Sequence, residues 1–368
     1  MSKSNSLKKF NFKGLSPTNK IREKEKNIKS PINKSNKQKY GNDQPGIIEV
    51  YEDNFIEEIK NLSTLLDDYN YIGMDTEFPG TVFSAENMSE DFYYNALKRN
   101  VNKLKLIQLG ITLTNEKGEY PRNYPYHTWQ FNLEFDKKKE IYKSDSINLL
   151  EECGIDFDKL KKKGIKHNIF AQYFMISNLV LNPDIHWVSF QGSYDFGYLL
   201  KLLINSDLPE REEEFINLLN TYFINYYDIR VFIKGNDTFY RGLNKLAEQL
   251  EVIREGKIHQ AGSDSVVTID VFFKLKKSGF INNEKIEELK NVVYGIGKGK
   301  DNDETIIYTQ IGGMNYQNNN KNNLMYLNLP INTNYLNMNY YNYPMLLNNQ
   351  NNNLSFNQNN SAQIQTLI

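Results

Sequence analysis

Two hydrophobic rhythms divide the middle of this chain. Asn54 is placed to cap a helix, with Glu57 and Glu58 in the first turn at the positive end of its dipole. Phe55, Ile56, Ile59, Leu62, Leu65 and Leu66 then recur at helical spacing and define one apolar face. Tyr71-Ile-Gly-Met-Asp75 is a short apolar run closed by an acid, and it predicts a buried strand. Over Leu104–Leu113 the period changes to two, with Ile107, Leu109, Ile111 and Leu113 on one side. His127–Phe135 repeats that alternation through Trp129, Phe131, Leu133 and Phe135. These three strands follow one helix and can pair as a meander.

The second half reads as mostly helical. Helices are predicted over Ser144–Cys153, stopped by Gly154, and over Ile169–Val180, Tyr194–Ile204, Glu210–Tyr222 and Leu243–Leu250. A last helix, Ser263–Lys277, has Val266, Val267, Val271 and Phe272 for its buried side. Strands are predicted at His186–Phe190 and Tyr226–Ile229. A meander followed by mixed strands and helices implies an α/β domain with a central mixed β-sheet flanked by helices. No internal repeat is visible.

Composition limits where that domain lies. Only 39% of the 368 residues are hydrophobic, too few for every segment to be buried. Residues 1–46 hold 11 Lys and 1 Arg against 2 Glu and 1 Asp, a net +9, with no apolar period. They read as a disordered basic arm, either simply solvated or touching RNA. Residues 315–360 hold 20 Asn and one charged residue, Lys321. That is Asn-rich low complexity, by composition bias or as a condensate-promoting tail. The expected organisation is therefore arm 1–46, folded domain 47–298 and tail 299–368. A net charge of −1 excludes a uniformly basic nucleic-acid binder, so any footprint for a polyanion is local. The single cysteine, Cys153, leaves no intramolecular disulfide or cysteine zinc site and is expected as a small core residue. No apolar run reaches the ~18 residues needed to cross a bilayer. The first residues lack the apolar stretch of a secretory signal. An intracellular protein without membrane contact is expected.

Three acidic features then change the picture. In Asp75-Thr-Glu77, positions i and i+2 of a strand, both carboxylates project from one side. Two like charges there call for a cation, and a hard ion such as Mg²⁺ suits oxygen donors. Asp195, in Ser193-Tyr-Asp195-Phe-Gly-Tyr, falls in the first turn of a predicted helix, where the dipole alone would also favour it. His259 and Asp264 are five apart in His259-Gln-Ala-Gly-Ser-Asp264, with the histidine on a loop and the acid on the following helix. Each feature has a bland explanation when taken alone. The remaining histidines, His127, His167 and His186, read as exposed or packing residues.

In this order the features resemble the DEDD superfamily of exonucleases, in the subclass with a histidine five residues before the last acid. Six blocks narrow the resemblance: Met74-Asp-Thr-Glu-Phe-Pro-Gly80, Ile107-Gln-Leu-Gly110, Gly118-Glu-Tyr-Pro121, Thr128-Trp-Gln-Phe131, Tyr194-Asp-Phe-Gly-Tyr198 and His259-Gln-Ala-Gly-Ser-Asp-Ser265. From residue 47 to about 280 the chain is similar to the CAF/POP family, the poly(A)-specific ribonucleases of the CCR–NOT deadenylase complex. The resemblance implies an RNase H-like DEDD exonuclease fold and two divalent metal ions, Mg²⁺ or Mn²⁺. It implies that Asp75 bridges both ions, that Glu77 and Asp264 complete the first and that Asp195 holds the second. His259 would be the general base, and the product 5′-AMP. The implied partners are poly(A) RNA, a large NOT scaffold subunit and a second deadenylase. The implied locations are the cytoplasm, with P-bodies, and the nucleus.

One departure is Gln191, where many relatives are expected to carry histidine; it belongs to no ligand set. A DEDD exonuclease for other RNA or DNA, and an adaptor of the same complex with little activity, remain as alternatives. A dinucleotide-binding enzyme does not, because the first strand ends in Asp75-Thr-Glu77 and no Gly-x-Gly-x-x-Gly follows it. Gly295-x-Gly-x-Gly299 reads as a turn at the end of the domain.

Overall fold

The computed structural model describes residues 46–83 and 92–300. Nearly all of the expected arm and of the Asn-rich tail lies outside those residues. In chain order the elements are β1 (Ile47–Val50), α1 (Phe55–Ser63), β2 (Tyr71–Glu77), α2 (Phe92–Lys103), β3 (Gln108–Thr114) and β4 (Thr128–Asn132). There follow α3 (Ser144–Glu152), α4 (Phe157–Lys163), α5 (His167–Met175), β5 (His186–Ser189), α6 (Ser193–Ile204) and α7 (Glu212–Tyr222). The last are β6 (Asn225–Asp228), α8 (Ile229–Phe232), α9 (Leu243–Gln249), α10 (Ala261–Lys277) and α11 (Asn283–Leu289), then a 3₁₀ turn at Gly297–Gly299.

The strands form one mixed sheet in the order β1-β4-β3-β2-β5-β6. β2, β3 and β4 are the antiparallel meander expected from the alternation. β1 joins β4 in parallel, and β5 and β6 extend the other side in parallel with β2. This is the mixed α/β sheet that the pattern implied.

The alternation in β3 and β4 has a different meaning from the usual one. It separates two buried layers, not a buried face from a wet one, because every residue of both strands is buried. Leu109, Ile111, Leu113, Trp129 and Phe131 enter the main apolar core with Phe55, Phe170 and Phe174. On the opposite face Gln108, Thr112, Thr128, Gln130 and Asn132 lie under α10. Thr112 is within hydrogen-bond distance of both Thr128 (2.8 Å) and Ser265 of α10 (2.7 Å). Buried polar side chains are tolerable only when paired in this way.

Local expectations needed correction where tertiary contacts override the pattern. Asn54 does not cap α1; its amide oxygen accepts from the Tyr51 N–H, and its Nδ2 donates to the Glu49 carbonyl. Ile56 is 42% exposed and is not part of the buried face. α5 is shorter than expected and stops at Met175, ahead of the left-handed Asn178 and Leu181. α10 starts two residues early, at Ala261. β1, α2, α4, α8 and α11 were not expected. β1 and α8 have four residues each, α4 and α11 seven, and α2 buries Lys98 and Asn100, so no clean apolar period marks them.

Candidate active site

β2 ends in Asp75-Thr-Glu77, and its register sets Asp75 opposite Gly110 and Glu77 opposite Gln108. Cross-strand neighbours share a face, so both carboxylates point to the polar layer beneath α10. Gly110 makes the approach of α10 possible. A Cβ there would lie 1.9 Å from the Ala261 carbonyl oxygen and 2.6 Å from the Gly262 nitrogen. The helix start therefore rests directly on β3, and Asp264 in its first turn reaches the end of β2.

One ligand atom each from Glu77, His259 and Asp264 lies within 4.8 Å of the others. His259 sits just ahead of α10 in a left-handed conformation, φ 58°. Its backbone N–H donates to Asp264 Oδ2 at 3.0 Å. Asp264 Oδ1 lies 2.6 Å from Arg254 Nη1, an ion pair between a buried carboxylate and a half-buried guanidinium. Arg254 Nη1 is also 2.8 Å from Ser263 Oγ, to which it donates, and its Nη2 donates to Asn244 Oδ1.

Asp195 arrives from elsewhere. The β2–β5 pairing ends at Gly73 and Val188, so the sheet opens just before Asp75. Gln191, at φ 60°, turns the chain out of β5. The N–H groups of Gln191 and Gly192 donate to the two oxygens of buried Asp228 at 2.7 and 3.0 Å. α6 then begins, with Asp195 in its first turn. Thr76 points to the face opposite Asp75 and Glu77, and its hydroxyl donates to Asp195 Oδ1 at 2.5 Å. The four acids thus come together at the carboxyl ends of β2 and β5, in the crevice where α/β sheets commonly place their sites.

The electrostatics follow from that crowding. Burial first, and then the charges of Asp264 and Asp195, hold Asp75 and Glu77 well above the usual carboxylate range; Arg254 partly opposes this at Asp75. Burial pushes Asp195 up to about 7 against the hydrogen bond from Thr76. Asp264 is also raised by burial, with Arg254 and His259 pulling the other way. Four desolvated carboxylates, all hard oxygen donors, form a set that suits divalent cations such as Mg²⁺ or Mn²⁺. Asp75, Glu77, Asp264 and Asp195 are the residues able to hold them.

The other residues singled out in the sequence lie elsewhere. His127 stacks on Tyr120, His167 is 2.9 Å from the Leu106 carbonyl, and His186 stacks between Tyr71 and Tyr227. All three have packing roles. Cys153 is half-buried, not a core residue, and its carbonyl accepts from Gln260 Nε2 at 3.1 Å. Gly297–Gly299 is a 3₁₀ turn near the end of the described residues. Arg254 and Thr76 were missed. Thr76 sits between two singled-out acids, but nothing in a linear pattern places its hydroxyl on Asp195.

The family description "CAF1 family ribonuclease" matches residues 50–172. A probable CCR4-associated factor 1 homolog 7 of Arabidopsis thaliana is 45% identical over 258 residues, covering 68% of this chain and 93% of that one. The CCR4-NOT transcription complex subunit 7 of Caenorhabditis elegans is 39% identical, covering 64% and 77%. Among solved structures, S. pombe Pop2p in its Mg²⁺- and Mn²⁺-bound form aligns with a TM-score of 0.64 at 35% identity, over 68% of this chain and all of that one. Yeast CAF1 co-crystallized with the NOT1 MIF4G domain aligns with a TM-score of 0.60 at 30% identity, over 67% and 96%. This chain belongs to the CAF1 family of ribonucleases.

Proposed function

We propose that this chain is a metal-dependent 3′→5′ exoribonuclease that shortens poly(A) tails and releases 5′-AMP as a subunit of a CCR–NOT complex. The observation that carries the reading is the convergence of Asp75, Glu77 and Asp264 on one face of β2 with Asp195 from the sheet opening, and with His259 at the corner. Asp75 lies among the other three acids and is the residue suited to serve two cation positions. Glu77 and Asp264 would complete one, and Asp195 the other. Divalent cations held there supply Lewis-acid activation of the attacking water and neutralise charge building on phosphorus.

The chain's own groups do the rest. His259, on a loop and next to Glu77 and Asp264, takes the proton of the attacking water, a task suited to an imidazole near neutral pH. The His259 N–H and Arg254 fix both oxygens of Asp264. Thr76 fixes Asp195. Binding to a NOT scaffold is supported by the yeast relative crystallised with a NOT1 domain. A second deadenylase as partner, and action in cytoplasm and nucleus, accompany this reading.

The test uses the full chain on 5′-labelled RNA with a 3′ adenosine tail, beside uridine-tailed RNA and single-stranded DNA. A ladder that shortens to the tail boundary with Mg²⁺ or Mn²⁺, and stops with EDTA, is expected. Equal degradation of all three would mean a general exonuclease. No degradation, with scaffold binding kept, would mean an adaptor.

A further inference from the structure

α10 carries Asp264, and His259 stands one residue ahead of its N-cap, yet its N-terminus has no cap of the ordinary kind. The N-cap residue is Gln260, whose side chain makes no capping hydrogen bond. The first N–H groups of a helix need acceptors when buried. Here they come from the sheet: the Gly262 N–H donates to Gln130 Oε1 at 2.9 Å, and the Ala261 N–H to Gln108 Oε1 at 3.4 Å.

Those amide oxygens face α10 because their NH₂ groups are committed elsewhere. Gln130 Nε2 donates to Glu49 Oε1 at 2.8 Å, and Asn132 Nδ2 to Glu49 Oε2 at 2.6 Å. Gln108 Nε2 donates to Asn132 Oδ1 at 2.7 Å. Gln130 and Gln108 also donate to Gln260 Oε1, at 2.9 and 3.3 Å, which leaves Gln260 Nε2 to donate to the Cys153 carbonyl. Every amide is oriented, and the direction originates at Glu49. Burial raises the Glu49 carboxyl while the Asn132 and Gln130 donors and the Lys159 charge pull it back; in its ionised form it only accepts, whereas an amide can present either end. With two NH₂ groups drawn to Glu49, the carbonyl ends turn to the helix.

We propose that Glu49, through Gln130, Asn132, Gln108 and Gln260, is a remote positioning residue that sets where α10 begins and so holds His259 and Asp264 against Glu77. The inference rests on the exonuclease reading for its catalytic consequence but not for its structural one. A glutamine at position 49 has the same shape and would turn one NH₂ group toward Gln130 or Asn132. One of those amides would have to flip, placing NH₂ against a helix N–H. Moving the carboxylate to position 130 restores the match at position 49 and at the helix N–H, and gives up only the bond from position 130 to Gln260 Oε1. The amide now at position 49 could accept from Asn132 and donate to the carboxylate at position 130, which still accepts from the Gly262 N–H.

The experiment compares the full-length wild type with Glu49→Gln and with the exchange Glu49→Gln/Gln130→Glu. Amide hydrogen exchange at residues 259–264, in EDTA, reads the position of the helix start without any activity. Exchange there should quicken at least 10-fold in Glu49→Gln and slow again in the exchange variant. On adenosine-tailed RNA with saturating Mn²⁺, kcat should fall 10- to 100-fold with KM within 3-fold, and should recover partly in the exchange variant. Protection and kcat both unchanged in Glu49→Gln would overturn the proposal. Faster exchange with unchanged kcat would also overturn it, leaving a purely structural network. A wild type inactive on RNA would refute the exonuclease reading, while the exchange data would still judge the network.

Discussion

The hydroxyl of Thr76 donates to Oδ1 of Asp195 at 2.5 Å, so the strand that presents Asp75 and Glu77 to one face holds the fourth acid from its other face. The bond is to a carboxylate, the stronger class of hydrogen bond. Thr76→Val keeps the shape and removes the donor. The loss of about 1.5–3 kcal/mol of interaction, if felt in the transition state, corresponds to about 10- to 100-fold in kcat. Thr76→Ser should recover most of it. Steady-state rates of the three proteins on one adenosine-tailed RNA would check this.

Without divalent ions the acid cluster makes stability fall as pH rises. Asp75, Glu77, Asp195 and Asp264 all have raised values when folded, so folding favours their protonated forms. Their contribution is fully present below the unfolded value and is lost as pH climbs through the folded one, about 7 for Asp195. His127 and His167 act in the opposite sense. Burial lowers both to about 4, so their contribution is lost as pH falls from about 6.5 toward 4. Thermal melting in EDTA should therefore decline as pH rises from about 4 through 7, because the four raised acids outweigh the two histidines that act in the opposite sense. Mn²⁺ should remove most of this decline, and Asp75→Asn should reduce it while lowering the exonuclease rate by about 10²- to 10³-fold.

Arg254 is the cation paired with Asp264. Replacing it by glutamine leaves a buried carboxylate beside three others. Breaking a fully buried pair from one side costs about 3–5 kcal/mol, and with the guanidinium half-buried about 1–3 kcal/mol is expected here. Urea unfolding of Arg254→Gln in EDTA should show a loss of that order, and Mn²⁺ should restore part of it. Equal stability in EDTA would mean that the pair contributes nothing to the fold.

His259→Ala separates the roles of base and ligand. As the base, its removal should depress kcat throughout the neutral range while Mn²⁺ affinity, read by calorimetric titration, stays within a few-fold. A collapse of Mn²⁺ affinity would instead make it a ligand beside Glu77 and Asp264, a role its position permits.

Gly110→Ala tests the close approach of strand and helix. The new methyl would meet the Ala261 carbonyl at 1.9 Å, and backbone cannot yield as a side-chain tip can. Overpacking of about 1–3 kcal/mol is the minimum expected. Displacement of the helix start should lower activity at least 10-fold even at temperatures where the protein remains folded. Circular dichroism melts and rates on the same preparation would decide.

The sequence by itself determined the meander, because residues alternating over Leu104–Leu113 and His127–Phe135 can satisfy a period of two only as strands. It also determined which acids could act together, since Asp75 and Glu77 are i and i+2 on a strand and Asp195 and Asp264 each open a helix. Only the tertiary structure decided that the polar half of the alternation is buried under α10 and that Gly110 is the point of contact. It alone decided that Arg254 pairs with Asp264 and that Asp195 is held by Thr76 from the far side of β2. The physical reason is one of range. Periodicity and capping act within a few residues and are written in the chain. A hydrogen bond between Thr76 and Asp195, or a helix start at Ala261 resting on Gly110, exists only once the sheet has set distant segments side by side.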